Sequence, residues 1–205
     1  VFPNGILVDN VPAVGDMRSS ETVDIGFMCG SFAVWHGLDI IMDALFEEEE
    51  KHQTSCGVVL HLIGDLGGEQ KKLVESFQGS SSKNKVIWHG RLNEEGYRSI
   101  FSQCHVGIGS LAMYRKNLKE GATLKVREML AMGVPVYSGH RDAALPDGFP
   151  YYRVRKGELI REAVEFAFEN RSVERETVRE RARPFIDKVA RLRSVTEFLS
   201  DLKAS

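Results

Sequence analysis

The apolar residues of this chain fall into short unbroken runs separated by amphipathic stretches, the pattern of buried strands alternating with helices. Residues 22–29, 58–64, 86–90, 106–111, 135–138 and 151–154 read as strands. Between them, residues 38–51 (LDIIMDALFEEEEK), 69–77, 95–104 and 157–170 carry apolar positions at helical spacing, with the glutamates 47–50 as a solvated helix end. A polar loop spans 11–20, and another loop spans 112–119. Residues 172–202 read as helical and rich in arginine; Val178, Ala182, Phe185, Val189 and Leu192 approximate one apolar stripe, and Pro184 is placed to kink or divide it. Six alternations of strand and helix predict an α/β fold: a doubly wound, Rossmann-like parallel sheet with helices on both faces.

Composition narrows the class. With 205 residues, 42% of them hydrophobic and 27% charged, the chain is long and apolar enough for one domain with a sizeable core, or two small ones. The 27 Lys and Arg against 29 Asp and Glu leave a net charge of −2, which gives no general electrostatic reason to expect nucleic acid or an anionic membrane as partner. Cys29, Cys56 and Cys104 are odd in number, far apart and in or beside apolar runs, so buried reduced thiols are expected rather than a disulfide frame, as in the cytoplasm. No H-E-x-x-H or C-x-x-C spacing appears, and no apolar run approaches the roughly 18 residues of a membrane span. Neither a metal site nor a transmembrane helix is expected.

The chemistry concentrates in residues 120–136, EGATLKVREMLAMGVPV. Gly121 permits a tight turn. Thr123 suits the N-cap of a helix running to about residue 132, with Gly133 as C-cap and Pro135 just beyond. The first turn of such a helix exposes unpaired N–H groups and the positive end of its dipole, a ready site for a diphosphate. Glu128 then lies roughly 7 Å along the axis, leaning back toward the N-terminus, at ribose distance from a phosphate at the helix mouth. A carboxylate beside phosphates needs hydroxyls to accept from, so Glu128 suits a ribose and Glu120 a sugar. Two bland alternatives stay open: Glu120 complementing the helix dipole, and Glu128 in a surface ion pair with Lys125 or Arg127.

This string resembles the donor-site signature of retaining GT-B glycosyltransferases of group 1, glycosyltransferase family four: Glu, seven residues, Glu, a small-residue helix and G-x-P-V. The match is Glu120, Glu128, Ala131, Gly133, Pro135 and Val136. The resemblance implies that Glu120 touches the transferred sugar and Glu128 the donor ribose, with Gly121, Ala122, Thr123, Leu124 and Lys125 lining the donor site between them. Residues 122–125, ATLK, depart from the more apolar run of many members, leaving Lys125 either a phosphate contact or a solvated side chain. The start, Val1-Phe2-Pro3-Asn4-Gly5, resembles the V-x-P-N-G-x-D junction between the acceptor and donor domains of that family. It implies that residues 1–205 form the donor half, with 1–21 as junction and loop, 172–205 as terminal helices that often cross back to the first domain, and the N-terminal acceptor domain absent from this chain.

In open α/β sheets ligands gather at the carboxyl ends of strands, which directs attention to four more places. In the loop GSFAVWHG, from Gly30, the family's pyrophosphate-binding Arg and Lys correspond to Ser31 and His36; His36 either faces phosphate or belongs to a turn that packs Trp35 on the core. Gly64, in GDLGG, resembles the family's I-V-G-x-G turn or is simply a strand-to-helix turn. Gly90 and Arg91, in HGRL, resemble the element whose backbone reads the nucleobase; Arg91 stacks on a base or is a surface arginine. His140, in SGHR, either reaches donor or acceptor or is a loop histidine without function. Gly107-x-Gly109-x-x-Ala112 also fits a dinucleotide fingerprint, but its glycines fall inside a strand pattern and Glu128 falls inside a helix.

The implied function is binding of a nucleotide-diphospho-sugar donor and transfer of its sugar, with retention and without a metal or other cofactor. The acceptor is a glycan, a lipid-linked molecule or a small molecule, held by the absent domain, and polysaccharide biosynthesis is the implied setting. The enzyme would be cytoplasmic, or peripheral at the membrane in full-length form, and the isolated chain inactive. A nucleotide-sugar binding module without transferase activity is the alternative, kept open by the missing Arg and Lys.

Overall fold

The computed structural model describes residues 3–52, 54–78, 83–193 and 196. Its main sheet is wholly parallel. The strands are β1 (Thr22–Ser31), β2 (Gly57–Asp65), β3 (Lys85–Trp88), β4 (Val106–Ile108), β6 (Val136–Ser138) and β8 (Tyr152–Val154), in the order β3-β2-β1-β4-β6-β8. β1 and β2 are buried along nearly their whole length, as strands covered on both faces must be.

Helices α1 (Leu38–Lys51), α2 (Gly68–Gln78) and α5 (Leu159–Asn170) pack on one face, around Phe27, Leu45, Leu60, Phe77 and Phe166. Helices α3 (Glu94–Gln103), α4 (Leu124–Ala131) and α6 (Arg175–Ile186) cover the other, around Met28, Ile63, Phe101, Met129 and Val178. The apolar positions of α1, Leu38, Ile41, Met42 and Leu45, recur at i, i+3, i+4 and i+7, and all four are buried. The doubly wound α/β fold expected from the alternation is the fold observed.

The differences from expectation lie at boundaries. β3 and β4 end two and three residues early, because the chain there turns to form loops over the carboxyl end of the sheet. The C-cap of α4 is Met132, and Gly133 follows it with φ +81°, the left-handed residue that closes the helix. Pro184 stands inside α6, which ends two residues later; residues 188–193 are helical again. Of the apolar stripe, Val178 and Ala182 are buried, whereas Val189 and Leu192 are about half exposed. The expected helix beyond 196, and Val1 and Phe2 of the junction, lie outside the described residues.

Two features had no signal in the periodicity. A second, two-stranded parallel sheet pairs β5 (Glu120–Gly121) with β7 (Arg141–Asp142). The start of the chain also pairs with the end of α6: Ile6 N–H donates to the Ile186 carbonyl, and Lys188 N–H to that of Ile6.

Candidate active site

Strand order reverses between β1 and β4, and the crevice beyond their carboxyl ends is where an open α/β sheet collects its ligand. The loops chosen from the sequence converge there. The backbone N–H of Gly64 donates to the Gly90 carbonyl at 2.7 Å, and Arg91 reaches the Gly30 carbonyl at 3.5 Å. Gly64 has φ +129°, and a Cβ on it would lie 1.8 Å from the Cys29 carbonyl oxygen, so glycine there serves both conformation and close approach. Arg91 also pairs with Asp65 at 2.6 Å, which makes it a half-exposed surface ion pair.

On the other side of the crevice, the carbonyls of Trp35 and His36 accept from Ala112 and Leu111 N–H, tying the 34–36 turn to the loop after β4. Trp35 is only half-buried and serves as a platform for the Lys116 ammonium, 3.8 Å from its ring centre, rather than as core. Ser31 is exposed at the tip of β1.

Thr123 caps α4 by backbone conformation only: its hydroxyl makes no capping bond and is buried without a partner. Lys125 turns back under the end of β1, its Nζ 3.0 Å from the Cys29 sulfur and 5.2 Å from the centre of the Phe27 ring. Burial draws the Lys125 pKa below the usual lysine value and pushes the Cys29 thiol up, so for both groups it favours the uncharged form. A thiol is a weak acceptor.

Burial, with Lys125 and Lys116 adding to it, pushes His36 down to about 4. His36 Nδ1 accepts the Ala33 N–H at 2.9 Å, which leaves Nε2–H as donor in the neutral ring. His36, Thr123, Lys125 and the open first turn of α4 thus offer hydrogen-bond donors with few acceptors of their own, beside the positive end of a helix dipole, as an anion site requires.

Glu128 forms no ion pair with Lys125 or Arg127; it accepts a short hydrogen bond from the Tyr97 hydroxyl of α3. Glu120 is exposed on β5 and pairs with Arg141 across the small sheet at 3.1 Å, so the helix-dipole alternative gives way to a specific partner. Gly121 is half-buried opposite Asp142, Leu124 is exposed at the first helical position, and Ala122 offers its carbonyl to the Asn4 side chain at 3.0 Å. Beneath this turn, Arg127 is fully buried in a bidentate pair with Asp142 and also donates to the Asn4 carbonyl at 3.0 Å. His140 is buried in the bend between β6 and β7. Tyr97, Asn4 and Asp142 were missed as site residues; only Asn4 carried a signal, its place in the P-N-G turn. Among the described residues, no group of three or more His, Cys, Asp or Glu is placed to hold a metal ion.

Neutral burial of histidine gives a pH dependence. Burial also lowers the pKa of His89, His105 and His140. Between about 4 and the ordinary histidine value near 6.5 the unfolded chain binds more protons than the folded one, so stability rises with pH through that window. Urea midpoints are expected to fall from pH 7 to pH 4.5, ahead of the loss caused by protonating Asp9, Asp16 and Asp39, whose depressed pKa values act at lower pH. Equal midpoints at pH 7 and 4.5 would contradict it.

A family model described as glycosyl transferases group 1 matches residues 24–167. No curated protein sequence matches. Among solved structures, the chain is similar to AviGT4, a glycosyltransferase involved in avilamycin A biosynthesis (15% identity, TM-score 0.66, all of this chain and 58% of that one). It is also similar to HepE of Anabaena, solved with UDP-glucose (18%, 0.59, 96% and 56%), and to TarM (13%, 0.60, 89% and 36%). The chain therefore spans between about a third and three-fifths of these neighbours. At these identities the likeness is one of fold. In the described residues no helix is long and apolar enough to cross a membrane.

Proposed function

The chain belongs to the group 1 glycosyl transferases, with the Rossmann-like fold of its GT-B neighbours, and from that premise we propose that it binds a nucleotide-diphospho-sugar donor at the mouth of α4 for retaining transfer to an acceptor. The observation that supports the reading is the unpartnered Thr123 hydroxyl at the N-cap of α4, with Lys125 against Cys29 at the end of β1 and near enough to His36 to lower its pKa. The diphosphate takes the α4 N–H groups, the Thr123 hydroxyl, the His36 Nε2–H and the Lys125 ammonium. His36 and Lys125 then stand in for the family's Arg and Lys, and the diphosphate is held by hydrogen bonds and the helix dipole without a metal. Glu128 turns from Tyr97 to the ribose hydroxyls, the base lies over Gly64, Gly90 and Arg91, and Glu120 meets the sugar.

Transfer is proposed for a longer protein, since the neighbours carry much sequence beyond this fold. Residues 3–193 alone are expected to bind donor without glycosylating an acceptor, because one wall of a cleft cannot hold both reactants in near-attack geometry.

Calorimetry with UDP, GDP and ADP tests the site. At least one is expected to bind, unaffected by a chelator. Replacing Lys125 with Ala weakens that affinity by about 1.5–3 kcal/mol, and Glu128→Ala by about 1–3 kcal/mol, the cost of a charge-assisted hydrogen bond. Absence of binding by all three would overturn the proposal; unchanged affinity in both variants would move the nucleotide away from α4.

A further inference from the structure

We propose that His89 is a specificity-determining residue whose Nδ1 accepts a hydrogen bond from a ring N–H of the nucleobase, which uracil and guanine offer and adenine does not; the inference deepens the donor site proposed above and rests on it. Three titratable side chains run in a row across β1, β2 and the end of β3. Asp24 and His61 are buried, and His61 Nε2 lies 2.9 Å from Asp24 Oδ1. His61 Nδ1 lies 3.0 Å from His89 Nε2, with the two rings within 14° of parallel. The buried end is anchored: Asp24 Oδ2 accepts from the Thr22 hydroxyl at 2.9 Å, and the Asp24 N–H donates to His105 Nδ1 at 3.1 Å.

What this row adds over apolar packing is a fixed order of protons. The Asp24 carboxylate accepts, so His61 Nε2 carries its proton. With neutral rings, as at about pH 8, His61 Nδ1 is then bare and accepts from His89 Nε2–H, which leaves His89 Nδ1 bare in its turn. Burial, and after it the neighbouring His61, lowers the His89 pKa and so favours the neutral ring.

His89 is the accessible end of the row. Its ring is only partly buried, and its Nδ1 has no partner among the described residues and is not shut off from solvent. Gly90, the next residue, has φ +68°, and a Cβ on it would meet nothing within 4 Å, so open space adjoins the backbone here. Along β2, Leu60 and Leu62 pack with α1 and α2, so alternation puts His61 beside Ile63 on the side covered by α3 and α4. Glu128, the proposed ribose partner, belongs to α4 on that same side. The group that meets a bare Nδ1 must donate, and a phosphate, with only acceptors, would be repelled. Uracil N3–H and guanine N1–H donate; the matching ring nitrogen of adenine is bare and would set one lone pair against another.

Calorimetry at about pH 8 on the 205-residue chain compares UDP, GDP and ADP, and the quantity read is the Kd of ADP divided by that of the tighter of the other two. In the wild type this ratio is expected to be about 5 or more, and UDP against GDP tells which base is read. His89→Leu should lower the ratio by about 3- to 10-fold while ADP binds as before. His89→Gln, which keeps an acceptor, should retain most of the preference. Nitrogen NMR of the wild type gives a reading that needs no variant and stands even if His89→Leu does not fold: His89 Nδ1 should be bare, and its signal should move when the preferred diphosphate is added. A protonated Nδ1, equal affinity for all three diphosphates, or a ratio in His89→Leu within about 2-fold of wild type would overturn the role of His89 while leaving the donor site standing. Failure of all three to bind the wild type would instead remove the donor site itself.

Discussion

Replacing Asp142 with Ala is expected to lower the unfolding free energy by about 3–5 kcal/mol, because it strands the Arg127 guanidinium inside the fold. Neither side chain of the pair is exposed at all. Arg127 donates through Nη1 and Nη2 to the two carboxylate oxygens of Asp142, the second bond 2.7 Å long, and through Nε to the Asn4 carbonyl. Asp142 Oδ1 also accepts from the Ala144 N–H at 2.9 Å. Arginine cannot shed its proton to escape burial, so the lost partner is felt in full. Asp142→Asn keeps one acceptor and should cost less. The double change Arg127→Met with Asp142→Leu removes both charges and should recover a large part of the loss, short of wild type because the Asn4 carbonyl and Ala144 N–H stay unpaired. Urea unfolding of the four proteins decides it: a loss below about 1 kcal/mol in Asp142→Ala would mean that water reaches Arg127 and that the pair is not a closed one.

This pair also explains what could and could not be read from the sequence. The buried strands and the amphipathic helices follow from local periodicity, and β1, α1 and α4 stand where the pattern puts them, within two residues. Glu120, Glu128 and the α4 mouth were legible because their spacing within one strand–turn–helix unit is itself a sequence feature. Arg127 had no such mark: one more basic residue in a charged helix reads as solvated, and only the return of the chain at Asp142 and Asn4, 15 and 123 positions away, makes it the most buried cation of the site. The β5–β7 pair is two residues long, too short for any period to show. Tyr97 on Glu128 and Cys29 under Lys125 are likewise products of packing between elements distant in sequence. Lys125 was left between phosphate contact and solvated side chain; the structure turns it inward.

In the full-length protein, Glu120→Gln is expected to lower turnover by about 10²–10³-fold, the scale of losing one electrostatic contact to a transition state, while donor affinity changes little. The geometry separates the two effects. Glu120 is exposed, outside α4, and its fixed contact is an ion pair with Arg141, itself shared with Asp147 at 3.1 Å. Exposed pairs of this kind contribute at most about 1 kcal/mol, so the amide should fold as the acid does. In the proposed site the diphosphate and ribose contacts lie on other residues and are left in place. In the proposed reaction, positive charge develops at the anomeric carbon as the diphosphate departs, and a carboxylate held beside the sugar stabilises that charge more than it stabilises the neutral sugar of the ground state. Glutamine can still accept a hydroxyl proton, but it carries no charge, so binding survives and catalysis falls. The Asn4 bond to Ala122 and the Asp142 register with Gly121 hold the turn from both sides, which fixes the backbone of Glu120 while its carboxylate is free to leave Arg141 for the sugar. Steady-state kinetics and donor calorimetry on the same preparations give the split directly. An equal loss in affinity and turnover would assign Glu120 to the diphosphate, and unchanged turnover would remove it from the reaction.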